Sequence, residues 1–232
     1  MDHITSQKEH WKTHYTRQHA LIDAIGVTKS LEYSNEVVQL QTYAHSVEGL
    51  GRVDGLTVMD AGCGWGCFTL LLHALGARAV GVDFVQGTID TLRRLHPQIT
   101  WEAADVTDAE QVKRIGHFDR VVALEVLQYS GFERTVTALW ACVKPGGRLI
   151  GCVPNDRCPI ATKVKARYGG LWAPVSPEEV LALPDLLPDV VAVYVKGLTF
   201  AERQEFLPLV ASPWQRSISG TPNRMIFAAV RQ

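Results

Sequence analysis

No stretch of this chain approaches the roughly 18 consecutive apolar residues that a membrane-spanning helix needs, so no span is expected and no membrane partner. The opening MDHITSQKEHWKTHY lacks the apolar centre of a secretory signal. An excess of one charge is missing too. Lys and Arg number 23 against 24 Asp and Glu, a net charge of -1, which argues against a nucleic-acid surface. Cysteine is sparse and odd in number, 5 in all, so no disulfide framework is expected, and reduced thiols suit a cytoplasmic protein. Cys63 and Cys67 have no matching His/Cys pair at zinc spacing, so no metal is expected. Repeats and low-complexity tracts are absent. What remains is 232 residues at 47% hydrophobic, enough for one α/β domain with an extension.

Before Thr57 the apolar spacing predicts helices. Trp11, Tyr15, Ile22 and Ile25 fall near helical spacing, and Val37, Leu40, Tyr43, Ala44 and Val47 do so more clearly. From Thr57 the chain alternates. TVMDAG, RAVGVD, ITWEAAD, FDRVVALEV and GRLIGCVPN read as strands. Helices are expected near 65–75, 86–95, 109–115 and 133–143. The strands are apolar runs, as in a parallel sheet covered on both faces. In SPEEV, Ser176 reads as a helix cap with Pro177 in the first turn. VVAVYVKGLTF and RMIFAAVRQ add two strands. The expected fold is therefore a Rossmann-like, doubly wound, mostly parallel sheet of seven strands over 55–232, with an N-terminal helical lid over 1–54.

In VMDAGCGWGCF, Gly62, Gly64 and Gly66 stand where the first strand becomes a helix. Glycine costs conformational entropy, and such a loop lets a ligand approach the backbone at a helix N-terminus. The third glycine comes one residue earlier than in the dinucleotide pattern GxGxxG, where Cys67 stands instead, which argues against a nicotinamide cofactor. Asp83 closes the second strand, where a carboxylate accepts the hydroxyls of an unphosphorylated ribose. Asp105 closes the third, placed to accept from an adenine amino group.

The ordered set DAGCGWG, GVDF, AADV, FDRVVALEVLQYS and LWACVKPGGRLIGCVPN resembles the successive motifs of class I S-adenosylmethionine (SAM)-dependent methyltransferases, over about Thr57 to Asn155. The resemblance implies SAM as cofactor. It assigns Asp60, Gly62, Gly64 and Gly66 to the loop under the methionine part of SAM. Asp83 goes to the ribose, Phe84 to adenine contact, Asp105 and Val106 to the adenine edge, and Glu125 to the sulfonium side. The family often carries Glu-His after the fourth strand. Here Gln128 and Tyr129 follow Leu127, so a histidine base at this position is not expected. An Asn/Asp-Pro-Pro-aromatic motif is absent there too, which disfavours nucleic-acid substrates.

Displacement at a carbon of a sulfonium needs in-line positioning and a dry site more than a dedicated base. Tyr33, Asn155 and Tyr129 are the candidate catalytic residues. Tyr33, with Ser34 and Asn35, resembles a Tyr-Ser stretch that several small-molecule methyltransferases place over SAM. Trp11, His14 and Tyr15 are further lid candidates. Lys163 to Trp172 is a candidate for an acidic or aromatic substrate, and Trp214 and Arg216 for a cap on the pocket. The expected partner is a small molecule that accepts a methyl group. A second reading keeps SAM but makes it the only substrate: its amino nitrogen attacks its own γ-carbon, giving azetidine-2-carboxylate and methylthioadenosine. That reaction needs an aromatic or apolar cage that bends the methionine chain back on itself, for which Tyr33, Tyr43, Tyr129 and Trp172 are candidates. A third reading is a SAM-binding protein without catalysis.

Overall fold

The computed structural model describes residues 9–13, 36–199, 210–218 and 220–232. Tyr33, Ser34, Asn35, His14 and Tyr15 lie outside the described residues. Residues 9–13 are helical, and α1 spans Glu36–Leu50. The alternating body follows. It runs β1 (Thr57–Ala61), α2 (Cys67–Ala74), β2 (Arg78–Asp83), α3 (Gln86–Leu95), β3 (Thr100–Ala103), α4 (Ala109–Ile115) and β4 (Phe118–Leu124). Next come α5 (Leu127–Ser130), α6 (Phe132–Trp140), β5 (Val143–Pro154), α7 (Pro159–Tyr168), α8 (Pro177–Leu181), α9 (Leu183–Leu186), β6 (Val190–Thr199), β7 (Val210–Ala211) and β8 (Arg224–Arg231).

The strands form one sheet in the order β3-β2-β1-β4-β5-β8-β6-β7. The pairs β3-β2, β2-β1, β1-β4 and β4-β5 are parallel, and β8 enters antiparallel between β5 and β6. The expected seven strands are present. An eighth, the two-residue β7, borders β6 and was not legible in a segment so short.

Strand parity explains the two layers of core, because successive side chains point to opposite faces. Met59, Val121, Ala123, Leu149 and Val153 join the cluster that packs against α6, α8 and α9. Val58, Val122, Ile150 and Cys152 join the cluster beneath α1 and α2. Both sets are buried, so the strand sequences show no polar alternation.

The helix expected from Val37, Leu40, Tyr43, Ala44 and Val47 is present as α1, although Leu40 is 66% exposed and Thr42, Ser46, Gly49 and Leu50 face the sheet. Small side chains there let the helix approach β5 and β8 closely. At α8 the cap expectation is met in fuller form. Ser176 Oγ accepts from Glu179 N at 3.1 Å, and Glu179 Oε2 accepts from Ser176 N at 2.7 Å, a reciprocal capping box. Ser176→Ala removes one of these bonds and should cost about 1 kcal/mol. For a chain of this size that is a fall of roughly 2–4 °C in Tm by calorimetry. An unchanged melt would show that the cap contributes nothing to global stability.

Candidate active site

The carboxyl ends of β1, β2, β3 and β4 meet at one edge of the sheet, and the strand order reverses between β1 and β4. A ligand crevice is expected at such a point. The loop from Gly62 to Gly66 fills it. All three glycines have positive φ, 75° at Gly62, 51° at Gly64 and 75° at Gly66, a region that L side chains rarely adopt. Packing adds a second reason. A Cβ on Gly62 would stand 2.7 Å from Val126 Cγ2, and one on Gly66 would stand 2.5 Å from Trp101 Cη2. Ligand approach alone therefore does not explain the glycines, because Val126 and Trp101 already require two of them.

Asp83 organises the loop. Its Oδ2 accepts from Gly64 N and its Oδ1 from Val85 N, both at 3.0 Å. Val82 O receives Gly62 N at 2.8 Å and Cys63 N at 2.9 Å. Asp60 lies one strand away, only 3% exposed, with Thr69 Oγ1 donating to its Oδ2 at 2.6 Å. Burial pushes the Asp60 carboxyl up to about 6, Thr69 partly offsets this, and the charge of Asp83 adds to it. Burial also raises Asp83, against the bonds from Val85, Gly64 and Phe84. Cys63 is held well above the usual thiol range by burial and by both carboxylates. Tyr43 of α1 closes this side. Its ring lies 4.8 Å from that of Phe68, its oxygen accepts from Gln39 at 2.7 Å, and burial with nearby Cys67 and Asp60 keeps its phenol protonated.

At the third strand, Asp105 is spoken for in part. Its Oδ1 accepts from Thr107 N at 3.0 Å and Thr107 Oγ1 at 2.8 Å. Val106 is buried and Phe84 half-buried beside Asp83.

Across the crevice, Glu125 follows β4 with φ 56°, one of two non-glycine residues with positive φ among the described residues. Strain of this kind gathers at functional sites. Its Oε1 lies 2.9 Å from Arg224 Nε, and its Oε2 accepts from Gln128 Nε2 at 3.0 Å. The Gln128 side chain is buried, and its Oε1 has no hydrogen-bond partner among the described residues. Because Glu125 only accepts, the orientation of the Gln128 amide is fixed. Sequence reasoning missed Arg224 and Gln128 as a set, since Arg224 arrives from β8 and no local motif marks it.

Tyr129 stands in the same turn. Its ring meets Trp11 at 4.8 Å, edge to face, and it packs with Trp172 and Cys158. Asn155 is fully buried, donates through Nδ2 to Pro222 O at 3.0 Å and accepts at Oδ1 from Arg157 N at 3.1 Å, so its amide holds the turn after β5. Lys163 and Lys165 are exposed while Trp172 is buried, so that stretch does not present one basic-aromatic face. Trp214 packs between Gly49 and Lys196, and Arg216 lies over Tyr194 at 5.5 Å. All 5 cysteines are free, and no helix among the described residues is long and apolar enough to cross a membrane. No group of metal-ligating side chains is found among the described residues.

A methyltransferase domain model matches residues 58–147. The ubiquinone biosynthesis O-methyltransferase of Methylocella silvestris is 34% identical over 144 residues, 55% of each chain. The chain thus spans about half the length of that relative. The protein of the same name from Cereibacter sphaeroides is 30% identical over 190 residues, 77% of this chain and 75% of the relative. Among solved structures, magnesium protoporphyrin IX methyltransferase from Synechocystis with bound S-adenosylhomocysteine (SAH) superposes with a TM-score of 0.67 at 19% identity, covering 100% of both chains. Motif order, loop geometry and these likenesses agree: the chain belongs to the class I SAM-dependent methyltransferase family.

Proposed function

We propose that the protein binds SAM over the glycine loop and transfers its methyl group to a small-molecule acceptor. One observation carries this reading: two buried carboxylates, Asp60 and Asp83, flank a positive-φ glycine loop at the crevice where the strand order reverses. The fit to SAM is good on three counts. Asp83 keeps acceptor capacity for the ribose, since each carboxylate oxygen takes more than one hydrogen bond. Asp105 with Phe84 and Val106 offers the adenine edge, and the two buried carboxylates Asp60 and Asp83 suit a cationic ligand.

When bound, SAM supplies an electrophilic methyl group on a positively charged sulfur. The chain's own residues do the rest. Asp83 fixes the loop, and α1 brings Tyr43 over it to exclude water. Glu125, held by Arg224 and Gln128, forms the polar wall on the acceptor side, and Tyr129 with Trp172 and Trp11 forms the aromatic one. Among the described residues, Glu125 is the carboxylate there placed to take a proton from a hydroxyl acceptor. The O-methyltransferase names of the relatives support oxygen as the acceptor atom. Tyr33 keeps its role as a proposed lid contact. Free cysteines suit a cytoplasmic setting.

The cyclase reading has one observation in its favour, the gathering of Trp11, Tyr129 and Trp172 beside the acceptor side. Incubation of the purified protein with SAM alone, read by mass spectrometry, separates the two. Methyl transfer predicts intact SAM alone, and SAH once a phenolic acceptor mixture is added. Methylthioadenosine with azetidine-2-carboxylate above the protein-free control would overturn it.

A further inference from the structure

Gln128 has more hydrogen-bonding capacity than the fold uses. Its backbone oxygen accepts from Ala173 N at 2.9 Å, which ties α5 to the stretch before α8. The residue is 1% exposed. Its Nε2 donates to Glu125 Oε2 at 3.0 Å, and its Oε1 has no hydrogen-bond partner among the described residues. A buried amide oxygen in that condition is costly, and a donor that reaches it removes the cost. The amide does not turn over to escape, because the carboxylate requires its NH2 side.

The position of this oxygen says where such a donor comes from. Glu125 follows β4 at the edge where the strand order reverses, so the Gln128 amide is one hydrogen bond from the group proposed to take the acceptor's proton. The nitrogen and oxygen of an amide stand about 2.2 Å apart, so Gln128 Oε1 and Glu125 Oε2 lie within about 5 Å of each other. Two acceptor oxygens that close suit two donors on neighbouring atoms of one small molecule. The aromatic wall of Trp11, Tyr129 and Trp172 adjoins them and suits a planar ring.

Resting on the methyl-transfer reading of this site, we infer that Gln128 selects the acceptor: the molecule methylated is a planar ring with a second O–H or N–H donor beside its nucleophilic hydroxyl, and that second donor is given to Gln128 Oε1. The departure of EVLQYS from the family's usual Glu-His has a physical sense here. A glutamate at 128 would set a second negative charge against Glu125, whereas the amide offers an acceptor oxygen without one. Only the hydroxyl on Glu125 gives up its proton, since an amide oxygen is no base near neutral pH. The ring is therefore methylated once. A second round would turn the new methoxy group, which donates nothing, toward Gln128.

Catechol and o-cresol, which differ by a hydroxyl against a methyl group of similar size, are the probes for the full chain with SAM. Formation of SAH gives kcat/KM for each. The wild type should prefer catechol at least about tenfold, the scale of leaving a buried acceptor without its donor, and should stop at 2-methoxyphenol. Gln128→Met keeps the length and loses the oxygen, and should cut that preference at least about tenfold. Gln128→Glu keeps an oxygen in place and should retain most of it. A residue that only holds Glu125 would affect both probes alike, so an unchanged ratio in Gln128→Met overturns the inference. A wild-type ratio within about threefold of one overturns it too, because the oxygen is then met by an ordered water or by nothing. If Gln128→Met fails to fold, the wild-type ratio and Gln128→Glu decide. In each of these cases turnover leaves the methyltransferase reading standing. No SAH from either probe, with SAM bound, overturns the hydroxyl-acceptor reading and the inference together.

Discussion

Asp83→Ala should weaken SAH binding by about a hundredfold or more. The carboxylate holds the loop through bonds to Gly64 N and Val85 N, each 3.0 Å, inside a site where Asp83 is 4% exposed. Hydrogen bonds to a buried charged group contribute roughly 1.5–3 kcal/mol each. At about 1.4 kcal/mol per tenfold, losing bonds of this strength to the two proposed ribose hydroxyls corresponds to two orders of magnitude or more. The loop would lose its two anchors with them. Asp83→Asn should fall between wild type and alanine: it keeps one acceptor oxygen but turns an NH2 toward one of the two backbone donors. Titration calorimetry with SAH, alongside a far-UV spectrum to show a native fold, measures this. A Kd within about threefold of wild type for the folded alanine variant would remove Asp83 from the cofactor site, since a threefold change is below 1 kcal/mol.

Gly66→Ala should lower the melting temperature by about 10 °C. Two costs add. The residue sits at φ 75°, where a Cβ costs about 1–2 kcal/mol. Its Cβ would also stand 2.5 Å from Trp101 Cη2 and 2.8 Å from Cζ3. Trp101 is 2% exposed, and its indole N–H is tied to His96 O at 3.0 Å, so the ring has no room to yield. Overpacking of this kind costs roughly 1–3 kcal/mol. A total of about 2–5 kcal/mol in a domain of this size gives the expected shift. Gly146→Ala isolates the backbone part. Its φ is 73°, and nothing lies within 4 Å of an added Cβ, so a fall of only a few degrees is expected. Equal shifts for the two variants would show that Trp101 does not press on the loop.

These residues also show how far the sequence could be read. Arg78–Asp83, Gln86–Leu95 and Ala109–Ile115 come out with the expected bounds because glycine, proline or aspartate punctuates each apolar stretch. The glycine loop was legible as a ligand site, but part of its cause was not. That Gly62 answers to Val126 and Gly66 to Trp101 depends on strands and helices brought together only by folding. The helix of α1 was legible from its apolar spacing, but its contact face was not, because it uses Thr42, Ser46 and Gly49, whose small size counts for more there than hydropathy. Asn155 was legible as a residue after β5, but its bonds to Pro222 and Arg157, which tie the turn, were not. The Glu125–Arg224 pair joins distant parts of the chain across β5, and no periodicity foretells it.

The antiparallel entry of β8 bears on how the chain comes together in time. β6 has no strand neighbour toward the rest of the sheet except β8, which pairs with β5 on one side from Arg148↔Val230 to Pro154↔Arg224 and with β6 on the other. Strands β1 to β5 are synthesised first and can associate as a parallel unit, but β6 must wait, with its hydrogen-bonding edge open, until β8 slides between it and β5. Long-range pairing of this sort is slow and leaves an edge exposed to other chains meanwhile. The half of the molecule that carries the glycine loop thus needs no strand later than β5 for its parallel pairing. The half that carries Arg224 acquires its pairing with Glu125 only once β8 lies beside β5, so the polar wall of the acceptor side is tied to the last strand of the sheet.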